Sequence, residues 1–432
     1  MKKRTLKKNK ALLARARRVI PRAAQTLSKA PDQFVLGVSP YAIARGKGAL
    51  VWDVDGNEYI DLTSSLGAMA LGHRHPVIER AVAAQRKVGT IYALPAEGEV
   101  VLAEQLCKLQ PFIEMARFGL NGSDVTTAAI RVARAYTGRD HVAKCGYHGW
   151  SDWAIATHPV RSGGIPQAIK DLTHEFGYND VESLKKIFKK HPGKIAAVIL
   201  EPMHSSVPQN DFLKKVAALA RRHGAVLVFD ELITGFRLGM RGAAGHFKVA
   251  PDLVCYGKAI ANGEPLSVLA GRRKIMDVLD KKDIFFSFTY AGYLPSIAAA
   301  LANLDFMKKR AVHKALWRRS GTLAKRYRAL AAKYGVRTSV GGLGPVQFWS
   351  FKTKDGDDDR PLKSLFLQEC AKHGLLTNCS VYLNYAHNDA IVTEIGRRLE
   401  RVFAVLGEAV RTNRVEALLE GPVIRPRARP AN

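Results

Sequence analysis

"KIAAVILEPMHSSVPQNDFLKKVAALARRHGAVLVFDELITGFR", residues 194–237, contains two uninterrupted apolar runs, each ending in an acidic residue, with a helical stretch between them. Neither run, 195–200 or 225–229, alternates apolar with polar side chains. A strand without a polar face is one covered on both sides, the condition inside a parallel sheet sandwiched by helices. Strand, helix, strand in that order is a βαβ unit. The pattern continues outward from this stretch. "MARFGL" leads into "NGSD", "HVAKCG" into "YHG", and "DLVCYG" into "KAIANG". The expected fold class is therefore α/β, built on a mainly parallel sheet covered by helices.

In such sheets, ligand-binding groups gather beyond the carboxyl ends of the strands. The residues that follow the apolar runs are Asn121-Gly122-Ser123, Tyr147-His148, Glu201, Asp230-Glu231 and Lys258. Any one of them is ordinary loop chemistry; together they are expected to converge on one crevice. Ser123 stands where an N-cap belongs and Gly122 allows close backbone approach, so this junction can cradle a phosphate at a helix N-terminus. Simple helix capping explains the segment equally well, and neither a nucleotide P-loop nor a G-x-G-x-x-G pattern is present. A carboxylate at Asp230 can bond a cationic ring nitrogen or cap the next turn. Lys258 ends the following strand, 28 positions later. A lysine is usually solvated, but an acid and a lysine on neighbouring strand ends suit a pyridoxal phosphate site. The lysine forms the Schiff base there, and the acid keeps the pyridine nitrogen protonated.

The order and spacing of "GALVWDVDGNEYIDL", "LGHRHP", "NGSD…AIRVARAYTGR", "GYHGW", "VFDELITGFR", "APDLVCYGKAIANGEPLSVLAGRRKIMD" and "NYAH" resemble the class III pyridoxal-phosphate aminotransferases. That group has the fold-type I architecture and includes glutamate-1-semialdehyde 2,1-aminomutase. The likeness runs from about residue 20 to 405. It implies that Lys258 carries the cofactor as an aldimine and shuttles the proton, and that Asp230 binds the pyridine nitrogen. Tyr147 would stack on one ring face and Leu232 press on the other. Gly122 and Ser123 would hold the phosphate, with Glu201 near the cofactor. Thr289 resembles a threonine that reaches the phosphate of a partner subunit, which implies a homodimer with its active site at the interface.

Three departures bear on the substrate. Ser206 stands where relatives often have an asparagine near the cofactor hydroxyl. Lys29 replaces the arginine that takes the substrate carboxylate in the aminomutase, and a lysine lacks the bidentate fork. Trp150 and Trp153 flank the cofactor tyrosine and are expected either to line a pocket for a flat or sugar-like group or to pack in the core. The expected reaction moves an amino group from a small-molecule donor to a keto or aldehyde acceptor, with a sugar-like carbonyl among the candidates. An aminomutase is the alternative, an amino-acid racemase the third reading, and a non-catalytic basic binding protein the rival from another class.

The expected organisation has residues 1–75 as the N-terminal segment of a small α+β lobe, 76–310 as the large cofactor-binding domain, 311–420 as the C-terminal part of the small lobe, and 421–432 as a disordered tail. "LVWDV", "DGN" and "EYIDL" read as a hairpin. The five cysteines show neither paired metal spacing nor a disulfide framework, and no metal is expected. No apolar run approaches the ~20 residues that span a bilayer, and no secretory signal is recognisable, so a cytoplasmic location is expected. The Ala- and Arg-containing N-terminus leaves a transit peptide open. The net charge of +29 is spread along helical stretches rather than concentrated in a recognition motif, so no specific nucleic-acid binding is expected.

Overall fold

The computed structural model describes residues 4–425. Contacts divide the chain into two units: residues as far as His75 together with those from Lys314 onward, and the intervening Pro76–His313. The first unit opens with the helix Lys7–Val19 and three antiparallel strands, β1 (Ile43–Lys47), β2 (Leu50–Asp53) and β3 (Glu58–Asp61). β2 and β3 form the expected hairpin, with Leu50 opposite Ile60 and Trp52 opposite Glu58. Asp53 closes its turn by accepting from the Asn57 side chain at 2.8 Å, and Gly56 supplies the positive φ of 86° that a tight turn requires.

The intervening unit holds a seven-stranded sheet made of β4 (Met115–Gly119), β5 (His141–Cys145), β6 (Thr173–Glu175), β7 (Ile195–Leu200), β8 (Val226–Asp230), β9 (Leu253–Tyr256) and β10 (Ser267–Gly271). Its order is β4-β10-β9-β8-β7-β5-β6. β6 to β9 and β5 pair in parallel, whereas β10 runs antiparallel to both of its neighbours, β4 and β9. Every residue of β7 is at most 1 % exposed. Burying one of its Ile, Val or Leu side chains is worth about 1.5–3 kcal/mol, so an all-apolar strand is stable only in this central place. The amphipathic helix Gly122–Thr137 covers one face with Val125, Ala129, Val132 and Ala133, all fully buried, and ends at Gly138 in the left-handed conformation.

The chain then returns to the first unit with β11 (Thr338–Leu343), β12 (Val346–Phe351), β13 (Leu375–Leu376) and β14 (Ser380–Val381). β13 extends the first sheet by pairing in parallel with β3, and β11, β12 and β14 make a separate antiparallel sheet. The core of this unit includes Tyr327, Trp349, Phe366 and Phe403, brought together from the helices Val312–Lys333, Arg360–Lys372 and Asp389–Arg411 and from β12.

Residues 421–425, expected to belong to a disordered tail, are instead docked. Ile424 is 4 % exposed and its N–H donates to Ser364 Oγ at 3.0 Å. The Arg425 N–H donates to the Asp32 carbonyl at 3.1 Å, so backbone bonds and the Ile424 side chain anchor the segment together. Residues 426–432 of that tail lie outside the described residues. Among the described residues, no helix is long and apolar enough to cross a membrane.

Candidate active site

Because β4, β5, β7, β8 and β9 share one direction, their carboxyl ends share one edge of the sheet. The singled-out residues of the large unit follow those ends. β4 gives way to Asn121 and the helix that begins at Gly122, and β5 to Gly146, Tyr147 and His148. β7 is followed by Glu201, β8 ends on Asp230, and β9 is followed by Gly257 and Lys258. Asp230 is level with Cys255 across the β8–β9 ladder.

Asp230 is 3 % exposed and already oriented by the protein. Its Oδ2 lies 2.8 Å from His148 Nδ1, and its Oδ1 accepts the Leu232 N–H at 3.1 Å. His148 is fully buried, and its Nε2 lies 3.1 Å from the Cys145 carbonyl oxygen. That carbonyl can only accept, so Nε2 carries a hydrogen. The imidazole thereby ties the end of β5 to the end of β8 and fixes the carboxylate plane. Sequence reading placed His148 at a strand end but gave it no role; its partner is 82 positions away. Glu201 plays a comparable part next door, accepting the Tyr147 N–H at 3.0 Å.

Leu232 packs against two glycine backbones. A Cβ at Gly122 would lie 2.5 Å from Leu232 Cδ1, and one at Gly257 would lie 2.5 Å from Leu232 Cδ2. Gly257 has φ of 179°, which any residue adopts, so close approach alone requires glycine there. Gly257→Ala should therefore force Leu232 or the Lys258 turn aside, at a cost of about 1–3 kcal/mol. Urea unfolding of the two proteins measures it; equal midpoints would show that the turn has room to spare.

Lys258 is half-buried and has φ of 47°, a left-handed conformation costly for a residue with a Cβ. It opens a short 3-10 turn, Lys258–Ala261, that leads into Asn262 (φ 48°) and Gly263 (φ 103°). The turn is clamped from the helix Leu294–Lys309, where fully buried Asn303 donates from Nδ2 to the carbonyls of Ala259 at 2.8 Å and Ile260 at 2.7 Å. Asn303 carries no motif in the sequence, and only the fold brings it to the lysine turn.

The helix Gly122–Thr137 begins where a phosphate cradle was expected. Asp124 accepts the N–H groups of Leu120 at 3.0 Å and Asn121 at 2.7 Å, which holds the entry into the helix. The N–H groups of the first turn have no acceptors within the helix. Ser123 Oγ accepts the Trp150 N–H at 3.2 Å, so the β5 loop closes over the same junction.

The tryptophans divide. Trp150 has 78 % of its surface exposed, whereas Trp153, expected either to line a pocket or to pack in the core, is 6 % exposed and belongs to the core. Its Nε1–H donates to Thr127 Oγ1 at 3.1 Å, and its ring stacks at 6.1 Å on that of His148. A short helix, Asp152–Ile155, turns its indole inward. Thr289 lies exposed in a turn closed by the Ala291 N–H on the Phe288 carbonyl. Lys29, in the other unit, helps to line a cavity of about 360 Å³ with Tyr41, Asp61, Thr63, His73 and Asn378.

Glu231, next to Asp230, faces away into a structural role. It is fully buried and accepts from Thr234 Oγ1, from the Ala243 N–H and from the Ala244 N–H. Burial pushes its carboxyl up to about 7 against these donors, which favour the ionised form. A raised folded-state pKa means that its contribution to stability is full below about 4.5, the ordinary value, and is lost as pH rises through about 7. A Glu231→Gln variant should lack that dependence, a difference on the order of 3 kcal/mol between pH 4.5 and 8. Denaturant unfolding at the two pH values checks it, and parallel pH profiles would contradict it.

These residues fit pyridoxal phosphate by their chemistry. An immobilised, buried carboxylate suits a protonated ring nitrogen, an apolar Leu232 and the aromatic Tyr147 suit a flat ring, and a glycine-led helix N-terminus suits a phosphate. Lys258 supplies an amine at the next strand end.

The comparisons agree. Residues 36–383 match the family described as aminotransferase class-III, and the chain belongs to that family. It is 34 % identical over 427 residues to a glutamate-1-semialdehyde 2,1-aminomutase of Desulfitobacterium hafniense, covering 92 % of this chain and 98 % of that one. Among solved structures, the internal aldimine form of the FumI protein of Sphingopyxis sp. MTA144 superposes with a TM-score of 0.88 at 29 % identity, covering 96 % of this chain and 99 % of that one. A β-phenylalanine aminotransferase of Variovorax paradoxus gives 0.83 at 26 % identity, covering 96 % of each. The fold is fold-type I, and the protein is a pyridoxal-phosphate-dependent enzyme.

Proposed function

We propose that the protein transfers an amino group between a small-molecule amino donor and a keto or aldehyde acceptor, with Lys258 as the cofactor-bearing and proton-moving residue. The observation that supports this most is the placing of Lys258 just beyond the end of the strand adjacent to a buried Asp230 whose orientation is fixed by His148. Bound here, the cofactor supplies an electron sink that lets the C–H bond beside the donor amine ionise.

The chain's residues would do the rest. Asp230 holds the ring nitrogen with its charge in a low-dielectric setting, and His148 keeps the carboxylate from rotating. Leu232 and Tyr147 confine the ring between them, and Glu201 holds the Tyr147 backbone. Gly122, Ser123 and the helix dipole bind the phosphate. Lys258 Nζ would take the proton from the donor carbon and give it back in the reverse half-reaction. The core placing of Trp153 removes one support for a sugar-shaped pocket.

A half-reaction screen tests the reading. Single donors are added to the yellow protein, loss of the lysine-bound cofactor absorbance is followed, and keto acids and aldehydes are then tried for its return. Failure of every donor to bleach the band would defeat the proposal. The similarity to curated aminomutases supports a second reading, in which the amine returns to an adjacent carbon of the same skeleton. Turnover of glutamate-1-semialdehyde without any separate acceptor would select it.

We further infer a homodimer in which the exposed Thr289 of each chain serves the phosphate of the other. Mixing Lys258→Ala with Thr289→Ala chains then regenerates one intact site in each hybrid. With random exchange in a two-fold dimer, activity should return to about a quarter of the native level. No recovery on subunit exchange, with both variants folded and dimeric, would place Thr289 in its own chain's site.

A further inference from the structure

Three histidines meet at the opposite edge of the large unit's sheet. His141 begins β5, so it lies at the amino end of a strand whose carboxyl end leads to Tyr147 and His148. β6 is the edge strand and pairs in parallel with β5, Ala143 opposite His174. Side chains alternate along a strand, so His141, two residues before Ala143, projects from the same face as His174. His191 caps the helix Val181–Lys190, whose buried Leu184 and Phe188 fix it against the protein. Phe188 also stacks at 4.2 Å on His223. The helix end is thus delivered to the two strand histidines by packing and not by chance.

The rings are closely gathered. His174 and His191 stack with centroids 4.1 Å apart, His141 and His191 stand at 4.9 Å, and His141 and His174 at 5.1 Å. His141 Nδ1 lies 2.8 Å from His174 Nε2, and one ligand atom from each of the three rings falls within 4.8 Å of the others. All three side chains are half-buried.

Neutral imidazole nitrogens are the ligands of late first-row divalent cations, at about 2.0–2.1 Å for zinc. Magnesium and calcium require oxygen ligands that are not present in this set. Three nitrogens around a tetrahedral zinc stand roughly 3.3 Å apart. Reaching that spacing requires the rings to rotate out of their stacked arrangement, with the fourth position left to water. The sequence spacings, 33 and 17 residues, match no short ligand motif; the expectation of no metal rested on the cysteines and did not consider these histidines.

We propose that His141, His174 and His191 form a three-imidazole site for a late first-row divalent cation of the zinc, nickel or copper type. The ion fastens the edge strand β6 and the end of the helix Val181–Lys190 to β5. Its place at the amino end of β5 makes it structural and separate from the amino-transfer site.

The test uses the cofactor-loaded enzyme, stripped with a chelator and desalted, then dialysed against zinc chloride with bound metal quantified and the thermal midpoint recorded. The native chain should bind one zinc more per subunit than His174→Ala and should melt at a higher temperature with zinc than without it. His174→Ala, and separately the milder His191→Gln, should weaken zinc binding about tenfold or more and lose the thermal shift. The cofactor absorbance of both variants should stay native, which shows that they are folded. Native zinc stoichiometry and affinity in both folded variants, no zinc bound by the native chain, or an equal thermal shift with magnesium would each overturn the proposal.

Discussion

With Lys258 replaced by alanine, turnover of any amino donor should fall by about 10²–10⁴-fold, the range in which a positioned proton-transfer group acts. The same change should abolish cofactor that survives borohydride treatment and denaturation, because it removes the amine that forms the Schiff base. The cofactor should still bind non-covalently, since the Asp230–His148 pair and the helix Gly122–Thr137 are held by contacts that do not pass through residue 258. Loss of covalent trapping with retained cofactor is therefore the specific signature. Covalent cofactor found on Lys258→Ala would assign the role to another lysine. The substitution also removes one left-handed lysine and installs another left-handed residue with a Cβ, so the strain of the turn is unchanged and folding should survive.

Asp230→Asn should slow turnover by roughly 10³-fold, as expected when a preorganised charge opposite a developing charge is neutralised. An asparagine can still accept from the Leu232 N–H or from His148, so the protein should remain folded. Asp230→Ala makes a different demand. It leaves His148 Nδ1, inside a fully buried ring, without its acceptor at a cost of about 1–3 kcal/mol. The pair of variants separates electrostatic catalysis from structure. Asparagine should lose kcat with little change in the unfolding midpoint, and alanine should lose both. Native turnover in Asp230→Asn would dismiss the carboxylate as the ring-nitrogen partner.

The fold class and the chemistry along the sheet edge were legible because they rest on local signals. The all-apolar runs of β7 and β8 demand burial on both faces, and that demand forces helices around a parallel sheet. A residue just after such a run must emerge at the carboxyl edge, which locates Asp230, Glu201 and Lys258 whatever the order of the strands. The hairpin at β2 and β3 was equally local, set by the Asp-Gly-Asn turn.

What the sequence could not contain is which strand lies beside which. The order β4-β10-β9-β8-β7-β5-β6 is not the order of the chain, and every contact across it depends on packing between segments tens of residues apart. The histidine that orients Asp230, the asparagine that clamps the Lys258 turn and the indole that turns into the core all belong to this class. So does the meeting of His141, His174 and His191, created by strand pairing and by one helix end. By itself the sequence determined the parallel-sheet architecture and the edge on which an acid and a lysine would stand. The tertiary structure decided their partners, because side-chain geometry is fixed by long-range packing that no local pattern records.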